Sequence, residues 1–365
     1  MPIAGHSPGH HWHPVIAVPV RNEEKRIANL LRALNDQSWC DDASDRVLVV
    51  LLLNNCTDRT REAVGDVFPS LGRLRVDLID IDLPAPVAHV GTARRMAMER
   101  AAAACPPERG VILTTDADAV PDPGWIGATL RAIDRGADLV GGKLYGNRWE
   151  EERLGAAFNA RAAAAATYAM HCDRLAALID PLDHDPWPRH SDHTGGSLAI
   201  RTEIYRAVGG LPPLPRREDL ALVVAARAAG ALLVHPLDVR VEVSARLIGR
   251  ARGGMADCLK AWLRAETEGL PLLVEDPAGL EARLQRRRAV RKLADLPPLA
   301  RSTAAAALGI DPSALAAGGE APAPGWFVER FAPDEPDPEP SMPAGEAIAR
   351  IQALIADYEG TLRAA

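Results

Sequence analysis

The chain has 365 residues, 47% of them hydrophobic, which is enough to bury the core of one large domain with an appendage or of two domains. Its net charge of −7 and isoelectric point near 5.8 argue against general binding to nucleic acid or anionic membranes, because such binding needs a basic surface. The five cysteines form no CxxC pair, so neither a zinc knuckle nor a disulfide framework is indicated. With no signal-peptide pattern and no apolar run of membrane-spanning length, the sequence predicts a cytoplasmic protein without a transmembrane segment.

After a histidine-containing tail at residues 1–13, predicted to be flexible, strand-length apolar runs alternate with segments of helical spacing. "VIAVPV", "RVLVVLLLNN", "LRVDLIDIDL" and "GVILTT" read as four strands, and each of the first three leads into a helical segment. Strands buried on both faces read as unbroken apolar runs, so the sequence predicts an α/β fold with a mostly parallel sheet flanked by helices.

The second half of the chain changes in character. "ADLVGGKL" predicts another strand, and residues 149–179 read as one long alanine-rich helix. A loop rich in His, Asp and Pro then leads to a strand, to the helix "EDLALVVAARAAG" and to two short strands. We predict a helical extension at 254–320, a proline-rich acidic linker at 321–343 and a final amphipathic helix at 344–365. This C-terminal region is also a possible homodimer contact.

Polar clusters follow the predicted strands at the edge where parallel α/β sheets bind ligands. "PVRNEE" follows the first strand, "NNCTD" the second and "TDAD" the fourth. Two carboxylates at i and i+2, here Asp116 and Asp118, can converge on one hard cation such as Mg²⁺ or Mn²⁺, which keeps positions open for phosphate oxygens. The alternative is an ordinary solvated turn.

Taken together, these segments resemble the family 2 glycosyltransferases, which have the GT-A nucleotide-sugar fold. "PVRNEEKRIANLLRAL" resembles that family's first strand-turn-helix, "NNCTDRT" its second, and "GTARRMAM" its Ala-Arg-Asn helix start. "TTDADAVPDPGW" resembles the DXD segment, "TGGSLAIRTEIYRAVGGL" the acceptor-side segment and "REDLALVVAARAAG" the Glu-Asp helix. The matches keep the family's order over roughly residues 14–253, with 14–142 as the nucleotide-sugar half and 143–253 as the acceptor half.

The resemblance implies a nucleoside-diphosphate-sugar donor, a hydroxyl acceptor and a Mg²⁺ or Mn²⁺ cofactor. Asp118 would contact the metal, with Asp116 nearer the ribose. Asn54 stands where the family usually has a base-contacting Asp, so the identity of the base stays open. Arg94 would sit near the nucleotide and diphosphate, and the following Arg95 replaces the usual Asn. The residues that would line the donor site are Pro19, Arg21, Asn22, Glu23, Asn54, Arg94, Asp116 and Asp118.

An inverting transfer needs a carboxylate that takes the proton of the acceptor hydroxyl. Asp219 is the candidate base, since the start of a helix favours an ionised carboxylate, and Glu218 is its supporting carboxylate. The alternative role of Asp219 is an N-terminal helix cap. Retaining transfer stays open.

Further candidates lie outside these motifs. Arg246 and Arg250 are predicted to clamp phosphate, or else to be solvated. His193 is a candidate metal or acceptor contact, or a plain loop histidine. The predicted acceptor contacts are Trp187, His190, Gly195 and Gly196.

Two other functions compete with sugar transfer. A non-catalytic nucleotide-sugar binder is favoured by Asn54 and Arg95 and opposed by the intact Asp116, Asp118 and Asp219. A sugar-phosphate nucleotidyltransferase is disfavoured because no glycine-rich loop follows the first strand, and a dinucleotide oxidoreductase because no GxGxxG follows any strand.

Overall fold

The computed structural model describes residues 12–41, 46–249, 255–315, 322–334 and 339–364. The strands are β1 His13–Val20, β2 Val47–Asn54, β3 Leu74–Ile81, β4 Gly110–Thr115, β5 Val120–Pro121, β6 Leu139–Gly141, β7 Lys143–Gly146, β8 Ser197–Arg201, β9 Leu233–Val234, β10 Arg240–Val243, β11 Leu273–Val274 and β12 Met342–Pro343. The helices are α1 Ile27–Asn35, α2 Thr60–Val67, α3 Val90–Ala104, α4 Trp125–Asp134, α5 Arg148–Glu152, α6 Ala156–Ile179, α7 Thr202–Ala207, α8 Glu218–Ala228, α9 Met255–Thr267, α10 Pro277–Arg291, α11 Pro298–Ala307, α12 Pro324–Phe331 and α13 Ala344–Ala364.

Two compact units divide the chain. We call them the sheet unit (Met1–Arg153, His190–Val223 and Leu232–Ala261) and the helical unit (Leu154–Arg189, Val224–Ala231 and Trp262–Ala365). Among the described residues, no helix is both long enough and apolar enough to cross a bilayer.

The main sheet has seven strands in the order β3-β2-β1-β4-β8-β6-β9. Strands β3, β2, β1 and β4 are parallel, β8 runs antiparallel between β4 and β6, and β9 is parallel to β6. The predicted mostly parallel, helix-flanked sheet is therefore confirmed.

Burial on both faces explains why the central strands could be predicted from the sequence. Every residue of β2 and β4 is buried, as is every residue of β1 after His13. Helix α1 buries Ile27, Leu30, Leu31 and Leu34, the spacing of a single apolar stripe facing a sheet. Apolar burial of this kind is the main force that holds the flanking helices to the sheet.

A second, three-stranded sheet in the sheet unit has the order β5-β10-β7. Strand β10 pairs antiparallel with β5 and parallel with β7, which joins the chain just after Asp118 to the chain just before Ser244. These two- to four-residue strands carry no periodic pattern of their own. They matter because they bring the segment after β10 to the site described below.

The long helix predicted at 149–179 is two helices, α5 and α6. The break contains Gly155, whose φ of 102° lies in the left-handed region and cannot continue a right-handed helix. Strand β1 begins at His13, inside the predicted N-terminal tail, and residues 1–11 of that tail lie outside the described part.

The helical unit has two apolar cores. In one, α6, α10 and α13 bury Tyr168, Leu175, Ile179, Leu280, Leu284, Ala347 and Ile351. The other surrounds Phe327 and Val328 of α12, which are fully buried. Helix α12 lies within the segment predicted as a linker, and the burial of these two side chains anchors it. The predicted final helix is observed as α13.

Candidate active site at the carboxyl edge of the sheet

The ends of β1, β2 and β4 lie side by side at one edge of the sheet. Register pairs Val20 with Leu53 and Ala17 with Thr114, so the turns that follow these strands emerge together. These turns carry residues 21–24, Asn54 with its successors, and the Asp116–Asp118 pair. The structure thus gathers at one edge the polar clusters that the sequence analysis singled out.

The turns after β1 and β2 interlock through side-chain-to-backbone hydrogen bonds. Asn22 has φ of 55°, and its Oδ1 accepts a hydrogen bond from the Thr57 amide at 2.7 Å. The Glu23 amide donates to Thr60 Oγ1 at 2.7 Å, and Arg21 donates to the Ala88 carbonyl at 3.2 Å. These turns are therefore held in place by the protein itself.

Asn54 is the last residue of β2 and is 2% exposed. Its Oδ1 has no hydrogen-bond partner within the described ranges. A buried acceptor without a partner costs free energy, so this atom fits a ligand that donates an N–H. Pro19, also expected near the nucleotide, is buried within β1, opposite Leu52.

Arg94 of α3 is the most enclosed charged group of the site, with its side chain 3% exposed. It donates to Glu218 Oε1 at 3.1 Å, Thr114 Oγ1 at 2.8 Å, the Gly195 carbonyl at 2.9 Å and Asp116 Oδ1 at 2.7 Å. Burial alone would lower the pKa of Arg94, but the carboxylates of Asp116 and Glu218 outweigh it and raise that pKa. We expected Arg94 at the diphosphate, but the structure surrounds it with protein partners.

Gly195 has no room for a side chain because Arg94 fills the space. A Cβ built on Gly195 would lie 2.5 Å from Cζ of Arg94. At Gly196 a Cβ would lie 3.1 Å from Leu144, and the Gly196 carbonyl accepts from Thr115 Oγ1 at 2.8 Å. The sequence analysis predicted both glycines as acceptor contacts, and at Gly195 the space beside the backbone is filled by the guanidinium of Arg94.

Asp219 and Glu218 open helix α8 directly after Arg217, whose φ of 57° is unusual for a residue with a side chain. Asp219 Oδ2 accepts from the Gly195 amide at 2.5 Å, and Oδ1 accepts from the Leu220 amide at 2.8 Å. Glu218 is 4% exposed, and burial, with the nearby charge of Asp219, raises its pKa although Arg94 pulls it down. Glu218 is thus an internal partner of Arg94, while Asp219 is partly exposed.

Asp118 and Glu23 share a second guanidinium, that of Arg246. Both terminal nitrogens of Arg246 donate hydrogen bonds to the Glu23 carboxylate, at 2.6 and 2.5 Å, and Nη2 lies 3.0 Å from Asp118 Oδ2. Burial and the neighbouring Asp116 charge raise the pKa of Asp118 to about 6, with Arg246 opposing the shift and Glu23 adding to it. A positive charge would stabilise this carboxylate pair.

The segment that carries Arg246 is anchored by Glu150, a residue that sequence reasoning missed. Glu150 Oε2 accepts from Ser244 Oγ at 2.8 Å and from the Ala245 amide at 2.7 Å, while Oε1 pairs with Arg26 at 2.5 Å. Glu150 and Asp118 both line a polar cavity of about 60 Å³. No local sequence signal distinguishes Glu150 from its neighbours in "WEEER".

The histidines of the 190–193 loop contact one another and His235. His193 Nδ1 lies 3.1 Å from His235 Nε2, and the ring of His190 meets that of His235 edge-on at 5.4 Å. The Asp192 amide donates to His190 Nδ1 at 3.0 Å. Within the described ranges, no three or more His, Cys, Asp or Glu side chains form a group that could hold a metal ion.

Two predicted site residues are not among the described residues of the sheet unit. Trp187 belongs to the helical unit, where the guanidinium of Arg174 lies 5.2 Å from its ring centroid. Arg250 lies outside the described residues.

Comparison with known proteins gives one family match. Residues 15–186 match the family model described as Glycosyl transferase family 2. A comparison with curated protein sequences gives no match.

Solved structures with a similar chain path include three enzymes of low sequence identity. The mannosyltransferase PcManGT from Pyrobaculum calidifontis in complex with GDP-Man and Mn²⁺ is 19% identical with a TM-score of 0.45, over 97% of this chain and 84% of that chain. TarS of S. aureus with UDP is 16% identical with a TM-score of 0.44, over 77% and 72%. Glucosyl-3-phosphoglycerate synthase of Mycobacterium tuberculosis with Mn²⁺, UDP-glucose and phosphoglyceric acid is 17% identical with a TM-score of 0.36, over 72% and 81%.

Proposed function

We propose that this chain, whose residues 15–186 match the family model of glycosyltransferase family 2, moves a sugar from a nucleoside diphosphate sugar to an acceptor hydroxyl with a divalent cation and with inversion. One observation carries the proposal. A single buried guanidinium, Arg94, joins Asp116 on the donor side to Glu218 and the Gly195 carbonyl, while the Gly195 amide is bound by Asp219. The candidate metal-side carboxylate and the candidate base are thus fixed relative to each other.

The residues at Asp118 fit a hard divalent cation. Two carboxylates, Asp116 and Asp118, supply oxygen ligands. Burial, and then the charge of Asp116, raises the pKa of Asp118, so a cation beside it would stabilise its ionised form. Mg²⁺ and Mn²⁺ sites of this kind need only one or two protein carboxylates, because substrate phosphates and water complete the coordination. When bound, such a cation neutralises charge that develops on the departing nucleoside diphosphate.

The interlocked turns after β1 and β2 are the proposed base and ribose site. The buried Asn54 Oδ1 supplies an acceptor for an N–H of the base, and its amide group supplies donors, so an asparagine reads a different edge pattern from an aspartate. Arg21, Asn22 and Glu23 border the same edge. This arrangement supports nucleotide binding without selecting one base.

Asp219 is the proposed general base. Each of its oxygens accepts one backbone N–H, which fixes the carboxylate in place and leaves each oxygen a further lone pair for the acceptor proton. The acceptor oxygen would form its bond to the anomeric carbon as its proton moves to Asp219, and the bond from that carbon to the diphosphate oxygen would break. Glu218 would act indirectly, through Arg94.

Ligand-induced thermal stabilisation tests the proposal. Melting is followed with UDP, GDP, ADP, CDP or dTDP, each with Mn²⁺ and with EDTA, because a ligand that binds only the folded form raises its melting temperature. We expect one nucleoside diphosphate to stabilise the protein in a Mn²⁺-dependent way, and Asp118→Ala to abolish the effect. Asp77→Ala, which removes a surface partner of Arg100, is the matched control and should respond as the wild type does. If a donor binds but is neither transferred to any acceptor nor hydrolysed, the protein is a nucleotide-sugar binder and not a transferase.

A further inference from the structure

Arg246 forms an ion pair with Asp118, the carboxylate that the proposed cation would bind. The Arg246 side chain is 17% exposed, and its guanidinium lies between the side chains of Glu23, 5% exposed, and Asp118, 21% exposed. It makes a bidentate pair with Glu23 and a 3.0 Å contact with Asp118. The protein thus supplies its own cation at the place where a divalent cation would bind.

We propose that Arg246 and the divalent cation compete for Asp118, so that the cation binds tightly only together with a nucleoside diphosphate, whose oxygens then accept the guanidinium. This inference rests on the proposed function. It adds that free Mg²⁺ or Mn²⁺ is a poor ligand and that the metal–diphosphate complex is the preferred one.

Electrostatics supports the competition. A cation held by Asp118 would lie close to the guanidinium, and the repulsion between them is weakly screened because all three side chains are largely buried. Displacing the guanidinium without a replacement would break its bidentate pair with the buried Glu23 carboxylate, which is costly. A lone divalent cation therefore gains Asp118 only by breaking an existing ion-pair network.

A diphosphate removes that obstacle. A guanidinium binds phosphate oxygens in the same bidentate manner as it binds a carboxylate, so the diphosphate can offer Arg246 an equivalent partner. The cation meanwhile gains Asp118 and the phosphate oxygens together. Cation and diphosphate should each raise the affinity for the other, by the same factor.

The anchoring of the segment allows the side chain to move while the backbone stays. Glu150 fixes Ser244 Oγ and the Ala245 amide, and the Arg246 amide donates to Ser244 Oγ at 3.2 Å. The contacts from the Arg246 guanidinium to Glu23 and Asp118 are all to carboxylates at the site. A rotation of the long arginine side chain is then sufficient to exchange partners.

The test is Mn²⁺ binding by full-length protein, measured from the electron paramagnetic resonance signal of free Mn²⁺ without nucleotide. We expect Arg246→Gln to bind Mn²⁺ alone about tenfold more tightly than wild type or more. Arg246→Lys keeps a positive charge but cannot hold both carboxylates bidentately, so its affinity should lie between the two. Arg240→Gln on β10 removes a partner of Asp122; it is the matched control and should bind Mn²⁺ as wild type does.

Two further measurements make the test specific. The double variant Arg246→Gln/Asp118→Asn should lose the gain in Mn²⁺ affinity, which locates that gain at Asp118. Adding the nucleoside diphosphate that stabilises the wild type most should tighten Mn²⁺ binding strongly in wild type and much less in Arg246→Gln. Melting curves check that each variant folds, and Arg246→Lys serves if Arg246→Gln does not.

The outcomes separate this inference from the proposed function. If the folded Arg246 variants bind Mn²⁺ alone no more tightly than wild type, the competition does not exist, whatever the enzyme transfers. If the variants gain Mn²⁺ affinity as expected but no nucleoside diphosphate binds to wild type with Mn²⁺, the competition for Asp118 stands, whereas its coupling to a diphosphate and the proposed function both fail.

Discussion

Replacing Asp118 by asparagine should make the metal-free protein more stable at neutral pH while it removes a ligand of the proposed cation. Burial and then the charge of Asp116 raise the pKa of Asp118 from 3.8 to about 6, with Glu23 adding to the shift and Arg246 opposing it. A carboxyl group whose pKa is higher in the folded than in the unfolded state binds its proton more tightly when folded. This group therefore favours folding below pH 3.8, and that contribution is lost as the pH rises to about 6.

The magnitude follows from the shift. Roughly two pKa units correspond to about 3 kcal/mol of lost stability above pH 6, and to about half of that at pH 5. Asparagine keeps the shape of the side chain and cannot ionise. We expect Asp118→Asn to raise the free energy of unfolding by about 1–3 kcal/mol at pH 7.5 and by less at pH 5.

Urea unfolding followed by far-UV circular dichroism, with EDTA present, measures the free energy of unfolding of wild type and variant at pH 7.5 and pH 5. Asp77→Asn on β3 is the control, since its partner Arg100 is 58% exposed and surface pairs contribute at most about 1 kcal/mol. A variant that is less stable than wild type at pH 7.5, or a difference that grows toward pH 5, would refute the reasoning. It would mean that Arg246 compensates the Asp118 charge more completely than the burial of the pair allows.

Three further predictions concern the acceptor side of the site. Asp219→Asn should keep donor binding, measured by calorimetry, while turnover falls by about 10²–10⁴-fold, because a general base is lost; near-normal turnover would leave Asp219 as a helix-end contact. Gly195→Ala should displace Arg94, whose Cζ lies 2.5 Å from the new Cβ, and lower the melting temperature. Gly65→Ala is the matched control because a Cβ there meets open space, whereas Gly209 is unsuitable because its φ is 80°. Arg94→Lys should cost about 3 kcal/mol in urea unfolding, because one ammonium cannot replace four directed bonds between buried groups.

The sequence predicted the parts of the fold that depend on local pattern. β1, β2 and β4 are buried on both faces and read as unbroken apolar runs, and the carboxylates and amides that follow them emerge at one edge because parallel strands end together. The antiparallel insertion of β8 and the two-residue strands β5 and β9 depend on pairings between distant residues, which leave no periodic trace.

The partners of the two central arginines could not be read from the sequence for the same reason. Arg94 meets Glu218 across 124 positions, and Arg246 meets Glu23 across 223. The sequence analysis predicted both arginines near the phosphates of a donor, which is the role of an arginine with a free guanidinium. In the structure, Arg94 donates four hydrogen bonds to protein partners, and Arg246 is bound to carboxylates of the site.

The two arginines therefore differ in what a ligand can change. Arg94 contacts a hydroxyl, a carbonyl and two carboxylates on three separate elements, so moving it would break all of them at once and leave buried polar groups unpaired. Arg246 contacts two carboxylates that lie at the proposed cation site, and a cation with its diphosphate can replace those contacts one for one. Arg94 thus holds the carboxylate geometry constant, and Arg246 is the charge that can move. A site built in this way can accept a highly charged donor without rearranging the groups proposed to carry out the transfer.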